Sequence, residues 1–197
     1  AVSLGGRLTD ILIDIGVPGD RIVVIPNGIE SKWILSKAEL RKKAERRKGR
    51  TVRFVMVGRH EFRKGLHILQ AAMAQLHEPR ELHMIGDWPQ WNSGIHNVIH
   101  HGVIRDKNDL MSTLDECDVL LLPSLSEGMP TVIIEAAARG LPSIAADVGA
   151  VSEVVGVESL VVAGSSSELS KKIVQVDALR FDLQSKYQYI SKLPAGF

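Results

Sequence analysis

The sequence has little of what marks secreted, membrane-spanning or nucleic-acid-binding chains. Among 197 residues there is one cysteine, Cys117. That excludes an internal disulfide framework and a cysteine-rich metal cage. A reducing, cytoplasmic setting suits such a count. No apolar run reaches the roughly 18–20 residues that a membrane-spanning helix requires. The opening Ala1-Val2-Ser3-Leu4-Gly5-Gly6-Arg7 lacks the charged flank and long apolar stretch of a signal peptide. An excess of one charge is missing as well. Lys and Arg number 24 against 23 Asp and Glu, a formal charge of +1, so no global field calls for nucleic acid. There is no initiator Met, and Lys192-Leu193-Pro194-Ala195-Gly196-Phe197 is an equally arbitrary end; both read as cuts in a longer protein.

What is present is ordinary globular composition, 45% hydrophobic and 24% charged, at a length that suits one α/β domain. Apolar spacing predicts a helix within 4–15, stopped by Gly16 and Pro18-Gly19, then a strand at 21–25 ended by Pro26-Asn27-Gly28. Residues 1–20 are expected to be a helix and connector from a domain junction, and 21–197 a Rossmann-like domain. The stretch 37–50 turns basic and loses its apolar stripe, which reads as a solvated helix or linker. Its cations Arg41, Lys42, Lys43, Arg46, Arg47 and Lys48 could touch an anionic membrane surface, but acidic residues dilute them and no aromatics are interleaved.

Further on, strands are expected at 51–57, 81–85, 97–101, 118–122, 142–146 and 160–162. Helices are expected at 64–76, 106–116, 130–139, 167–176 and 178–190, with Pro130 as the first helical residue of its segment. Strands alternate with helices, and several strands are continuous apolar runs. This predicts an α/β fold with a doubly wound parallel sheet. Ligands of such sheets bind beyond the carboxyl ends of the strands.

The strongest chemical signal is Ser124-Leu125-Ser126-Glu127-Gly128-Met129-Pro130-Thr131-Val132-Ile133-Ile134-Glu135-Ala136, a buried strand's loop opening into a helix. Gly128 lets the backbone approach a ligand. Amides at the helix start can receive phosphate oxygens. Glu135 lies about 7 Å along the helix, so one ligand can reach both carboxylates. A carboxylate accepts two hydroxyl hydrogen bonds, which suits a vicinal diol. Alone, the Glu pair would read as helix-capping charge and a solvated side chain; the strand-loop-helix setting favours the ligand reading.

The second signal is Val57-Gly58-Arg59-His60-Glu61-Phe62-Arg63-Lys64-Gly65, where Arg59 and Lys64 supply cations suited to a diphosphate. Arg63 reads as surface charge. The loop has neither the G-x-G-x-x-G of dinucleotide binding nor a P-loop. His96, His100 and His101 do not share one strand face, which argues against a metal site. Cys117, at a helix–strand junction, reads as packed rather than reactive.

With these motifs in order, the chain resembles the C-terminal domain of the GT4-type, group 1 retaining glycosyltransferases. The matching residues are Ile25-Pro26-Asn27-Gly28-Ile29, Val57-Gly58-Arg59, Lys64-Gly65, Ile85-Gly86-Asp87, Gly102-Val103, Pro123-Ser124, Glu127-Gly128, Ile134-Glu135-Ala136, Gly140-Leu141-Pro142, and Gly149-Ala150 with Glu153. The resemblance implies one half of a two-domain GT-B architecture that binds a nucleoside-diphosphate sugar, with UDP- or GDP-sugars the expected donors. It implies that Arg59 and Lys64 hold the diphosphate over Gly58, and that Glu135 binds the ribose. It further implies that Glu127 contacts the transferred sugar beside Gly128, Met129, Pro130 and Thr131, and that Gly102, Val103 and Ile104 border the base. No cofactor or metal is implied. The partner it implies is an N-terminal domain of the same protein, without which this chain would turn over little substrate. Trp88 and Ala150 depart from the family pattern, Trp88 with bulk at the site's rim. Two other readings stay open: a sugar-nucleotide epimerase of the same fold, and a non-catalytic interaction domain.

Overall fold

The computed structural model describes residues 1–47 and 50–176. The helix expected at 178–190 lies outside the described residues. The chain opens with β1 (Val2–Ser3), α1 (Arg7–Asp14) and β2 (Val23–Val24), in which the two strands pair in parallel. Then come α2 (Lys37–Arg47), β3 (Arg53–Val57), α3 (Leu66–Met73), β4 (Glu81–Ile85), β5 (Asn97–Gly102) and α4 (Lys107–Glu116). The last elements are β6 (Val119–Leu122), α5 (Thr131–Ala138), β7 (Ser143–Ala146), β8 (Leu160–Val161) and α6 (Ser166–Gln175).

Six strands form one all-parallel sheet in the order β5-β4-β3-β6-β7-β8. The chain starts at the sheet's centre with β3, winds outward through β4 to β5, then crosses over to β6 and winds the other way. That is the doubly wound, Rossmann-like arrangement. Every residue of β6 and β7 is buried. Alternate strand residues point to opposite faces, so both faces of these strands are covered, as their unbroken apolar sequences require. Phe54, Met56, Leu69, Leu82, Met84, Leu120, Leu121 and Ile133 are among the largest fully buried side chains.

Two expectations are corrected. Pro130 is the N-cap of α5, with extended backbone, and Thr131 is the first helical residue. Of the solvated helix or linker expected at 37–50, Lys37–Arg47 is a helix, but one that buries Leu40 and Lys43. Ser36 and Glu39 form a capping box that starts α2: Glu39 Oε2 accepts from Ser36 N at 2.7 Å, and Ser36 Oγ from Glu39 N at 3.3 Å. Buried Lys43 donates to Leu114 O at 3.3 Å, to Asp115 Oδ1 at 3.1 Å and to Arg139 O at 2.8 Å. Arg47 donates to Cys117 O at 2.8 Å and pairs with Asp118. These cations meet the carboxyl ends of α4 and α5, where unpaired carbonyls and the helix dipole favour positive charge.

Candidate functional site

The crevice of a doubly wound sheet opens where neighbouring strands send their connections in opposite directions. Here those strands are β3 and β6. The loop after β3 leaves through Gly58, whose amide donates to Ile85 O at 3.0 Å, and makes a 3₁₀ turn at Phe62–Lys64. It then reaches Gly65, at φ 74°. A Cβ there would stand 2.0 Å from Pro123 O, so only glycine lets the β3 loop close against the β6 loop. Leu125 N donates to Arg63 O at 2.7 Å and fastens the two loops together.

That closure brings together residues 63 positions apart in sequence. Lys64 Nζ donates to Glu127 Oε1 at 2.7 Å, and Ser124 Oγ donates to the same oxygen at 2.7 Å. Arg63 Nη1 is 3.6 Å from Glu127 Oε2. The Glu127 side chain is only 5% exposed, so its charge is held by these partners rather than by water. Arg59 is exposed and pairs with Glu61 at 3.0 Å, and Arg63 pairs with the same carboxylate at 2.6 Å. Three cations, Arg59, Arg63 and Lys64, therefore stand at the crevice with Glu61 and Glu127 as their counter-ions.

The strip Glu127-Gly128-Met129 is held from behind. Gly149 sits at φ 57°, and a Cβ on it would lie 2.2 Å from Glu127 O and 2.3 Å from Gly128 O. Ala150 N donates to Gly128 O at 2.8 Å, and Asn27 Nδ2 to Met129 O at 2.6 Å. The carbonyls of Gly128 and Met129 are thus engaged, while the amides of Thr131 and Val132 open α5, where a helix provides no acceptor. Met129 and Pro130 are buried and Thr131 is exposed.

Glu135 follows in the second turn of α5, half-buried. Burial pushes its carboxyl above the ordinary range, and the nearby Lys107 ammonium offsets part of this. Lys107 begins α4 and pairs with Glu30. A short connection, residues 103–106, joins β5 to Lys107. Gly102, the last residue of β5, accepts from Gly86 N at 2.7 Å; after it Val103 is exposed and Ile104 packs against the core.

The structure thus joins Lys64 with Glu127 directly and places Arg59 on the same loop, paired elsewhere. Arg63, which reads from sequence as surface charge, reaches Glu127. Ser124, Asn27 and Gly149 also belong to the site, beyond the candidates that the sequence offers. Asn27 and Gly149 stand in motifs whose contacts are non-local, so sequence shows the pattern and not the partner. Trp88 does not form a rim. It is buried, with Nε1 donating to Ile85 O at 3.0 Å and its ring 3.5 Å from where a Gly58 Cβ would be. Burial pushes the Cys117 thiol up to about 12, which makes it a packed side chain and not a nucleophile. Among the described residues, no three His, Cys, Asp or Glu side chains are grouped to hold a metal ion, and no helix is long and apolar enough to cross a membrane.

The profile of the family "Glycosyl transferases group 1" matches residues 51–177. A glycogen synthase of Mycobacterium tuberculosis is 29% identical over 167 residues, which cover 78% of this chain and 39% of that protein. TuaC of Bacillus subtilis, a putative teichuronic acid biosynthesis glycosyltransferase, is 32% identical over 142 residues, covering 68% of this chain and 35% of its own. The chain therefore spans well under half the length of these relatives. Among solved structures, the lipopolysaccharide outer core galactosyltransferase WaaB superposes with a TM-score of 0.79 at 19% identity, over 98% of this chain and 57% of that one. HepE of Anabaena, in complex with UDP, superposes with a TM-score of 0.72 at 19% identity, over 96% of this chain and 57% of its own. At such identity the superpositions establish the fold.

Proposed function

The chain belongs to the group 1 glycosyltransferases, and from that premise we propose that it is the donor-binding half of a retaining, GT4-type hexosyltransferase. The observation that carries this reading is the 2.7 Å contact between Lys64 and Glu127, which unites the two signature loops at the sheet's crossover. A nucleoside diphosphate fits there. Its phosphates take Arg59, Lys64 and the first amides of α5. Its ribose takes the half-buried carboxylate of Glu135, and its base lies along Gly102, Val103 and Ile104. The UDP bound to HepE makes a UDP-sugar the first donor to test, with GDP-sugars second.

The ligand-free pairing has a chemical consequence. Lys64 neutralises Glu127 until a donor arrives. Phosphate oxygens then take over Lys64 and free Glu127 to accept hydrogen bonds from sugar hydroxyls. As the bond between sugar and diphosphate lengthens, negative charge grows on the leaving group. Lys64, Arg59 and the α5 amides stabilise that charge more in the transition state than before it.

Residues 1–20 belong, in this proposal, to the junction with an N-terminal domain that supplies the acceptor site, so the present chain binds donor without efficient turnover. The whole protein is cytoplasmic, and exposed Arg41, Lys42 and Arg46 on α2 are the cations that would touch an anionic membrane face. Calorimetry with UDP, GDP and ADP tests the site. Binding of one of them, weakened about tenfold or more by Glu135→Ala, is the expected result, since hydrogen bonds to charged groups contribute about 1.5–3 kcal/mol. A folded chain that binds none of the three would refute the proposal.

A further inference from the structure

The parallel connection between β4 and β5, residues 86–96, contains no helix. Parallel crossovers usually carry one, which covers the face of the strand it leads into. Here Trp88 turns inward and the rest of the loop runs beside β5, the edge strand of the sheet. Between loop and strand lies a cavity of about 450 Å³ lined by Gln90, Trp91, Asn92, Asn97, Val98 and His100, together with His96. That volume falls in the range of about 300–1,000 Å³ typical of small-molecule sites.

The lining holds no Asp, Glu, Lys or Arg, so a charged ligand has no counter-ion there. It is instead rich in neutral hydrogen-bonding groups. The side chains of Gln90 and Asn97 make no hydrogen bond to other described residues, and each offers both a donor and an acceptor. Asn92 Oδ1 accepts from Gly94 N at 3.0 Å, which leaves its amide hydrogens to donate. His100 Nε2 accepts from Trp91 N at 3.2 Å, which leaves Nδ1–H as a donor. His96 is different. Both its ring nitrogens are engaged, with Arg80 N at 3.2 Å and Met73 O at 2.8 Å, so it supports the wall and offers no metal ligand. Trp91 is partly buried against the core, an anchored aromatic surface in an otherwise polar trough.

We propose that this trough is a second binding site, for a neutral carbohydrate. A pyranose has an apolar C–H face for the indole and a rim of hydroxyls for the amides. Asn97 and Val98 begin β5, whereas the donor crevice lies beyond the carboxyl ends of β3 and β6. With β4 between β5 and β3, the two sites are about 10 Å or more apart, far enough to be filled together.

Saturation-transfer NMR on the full chain tests this, with maltotriose and N-acetyllactosamine as probes and glycerol as an acyclic control. Transfer to at least one of the sugars and none to glycerol is expected, unchanged by saturating UDP and by Glu135→Ala. Trp91→Ala should weaken the sugar about three- to tenfold, on the scale of one aromatic contact, while Trp91→Phe retains binding. If Trp91→Ala does not fold by circular dichroism, a Gln90→Ala/Asn97→Ala variant, whose lost side chains make no internal hydrogen bond, must weaken binding instead. No transfer to either sugar, transfer indifferent to the variant, or displacement by UDP would each overturn the proposal. Because UDP affinity is read separately, failure here leaves the donor site standing, and failure there leaves this site standing.

Discussion

At Gly65 the separation of one hypothetical methyl group decides whether the crevice exists. Its φ of 74° disfavours any side chain, and a Cβ would meet the Pro123 carbonyl oxygen at 2.0 Å. Neither atom can yield without parting the two loops. Gly65→Ala should therefore destabilise the chain by about 3 kcal/mol or more, the range of severe core disruption. Gly94, at φ 77° with nothing within 4 Å of its hypothetical Cβ, bears only the backbone cost. Gly94→Ala should cost about 1 kcal/mol. Urea titrations of both variants check the contrast, and equal effects would mean that the loops are not in contact. Glu135 poses a different trade. Burial raises its carboxyl, so the folded chain binds a proton at a higher pH than the unfolded chain does. Stability then falls as pH rises from the unfolded value of 4.5 through the raised folded value, and the cost is fully present above it. Glu135→Gln should raise the melting temperature at pH 7 by about 1–3 °C while weakening nucleoside diphosphate. Calorimetric scans beside binding titrations measure both, and a variant that loses stability would deny the burial argument.

Among the elements, α2 shows how composition can mislead. Its run of cations looks like a solvated surface, yet successive turns carry Leu40, Lys43 and Arg47 toward the body of the domain. Leu40 lies under Gly140, whose hypothetical Cβ would meet Leu40 Cδ2 at 2.2 Å. Lys43 enters between the ends of α4 and α5, and burial lowers its ammonium from 10.5 to about 8. The unfolded chain therefore holds this proton to higher pH than the folded chain. Stability relative to a Lys43→Met variant should rise between pH 8 and 10.5, by up to about 3 kcal/mol at 1.36 kcal/mol per pH unit. Denaturation series at both ends of that window check it; a constant difference would place the amine in water. The capping box of Ser36 and Glu39 was available in sequence as the S-x-x-E pattern, and it sets the start of α2. The ends of the other described elements lie within three residues of their expected positions, and β4 matches at both ends. The turn at Phe62–Lys64 displaces one such end, since its i+3 bonds and Gly65 delay α3 until Leu66.

For the molecule as a whole, stability is unevenly distributed. The six-stranded sheet and the helices packed on it carry the fully buried side chains, whereas β1, α1 and β2 expose Val2, Ile11, Ile13, Ile15, Val23 and Val24, and α1 buries no residue. A two-stranded parallel sheet has too few bonds and too little cover to persist alone. Amide exchange at Val23 and Ile25, which donate to Ala1 O and Ser3 O, should therefore be orders of magnitude faster than in β3, β4 and β6. Hydrogen-exchange mass spectrometry resolves the two regions. Comparable protection would show that the opening segment is as stable as the main sheet.

By itself the sequence determined the alternation of strands and helices, the all-parallel sheet and the loops where chemistry belongs. These follow from local signals: apolar period, glycine and proline punctuation, and the order of the motifs. Only tertiary structure decided which charges meet. Lys64 finds Glu127 because Gly65 fits against Pro123, and Lys43 is buried because two helix ends converge on it. Each outcome depends on a contact between segments far apart in the chain, where packing geometry outweighs what any residue prefers locally.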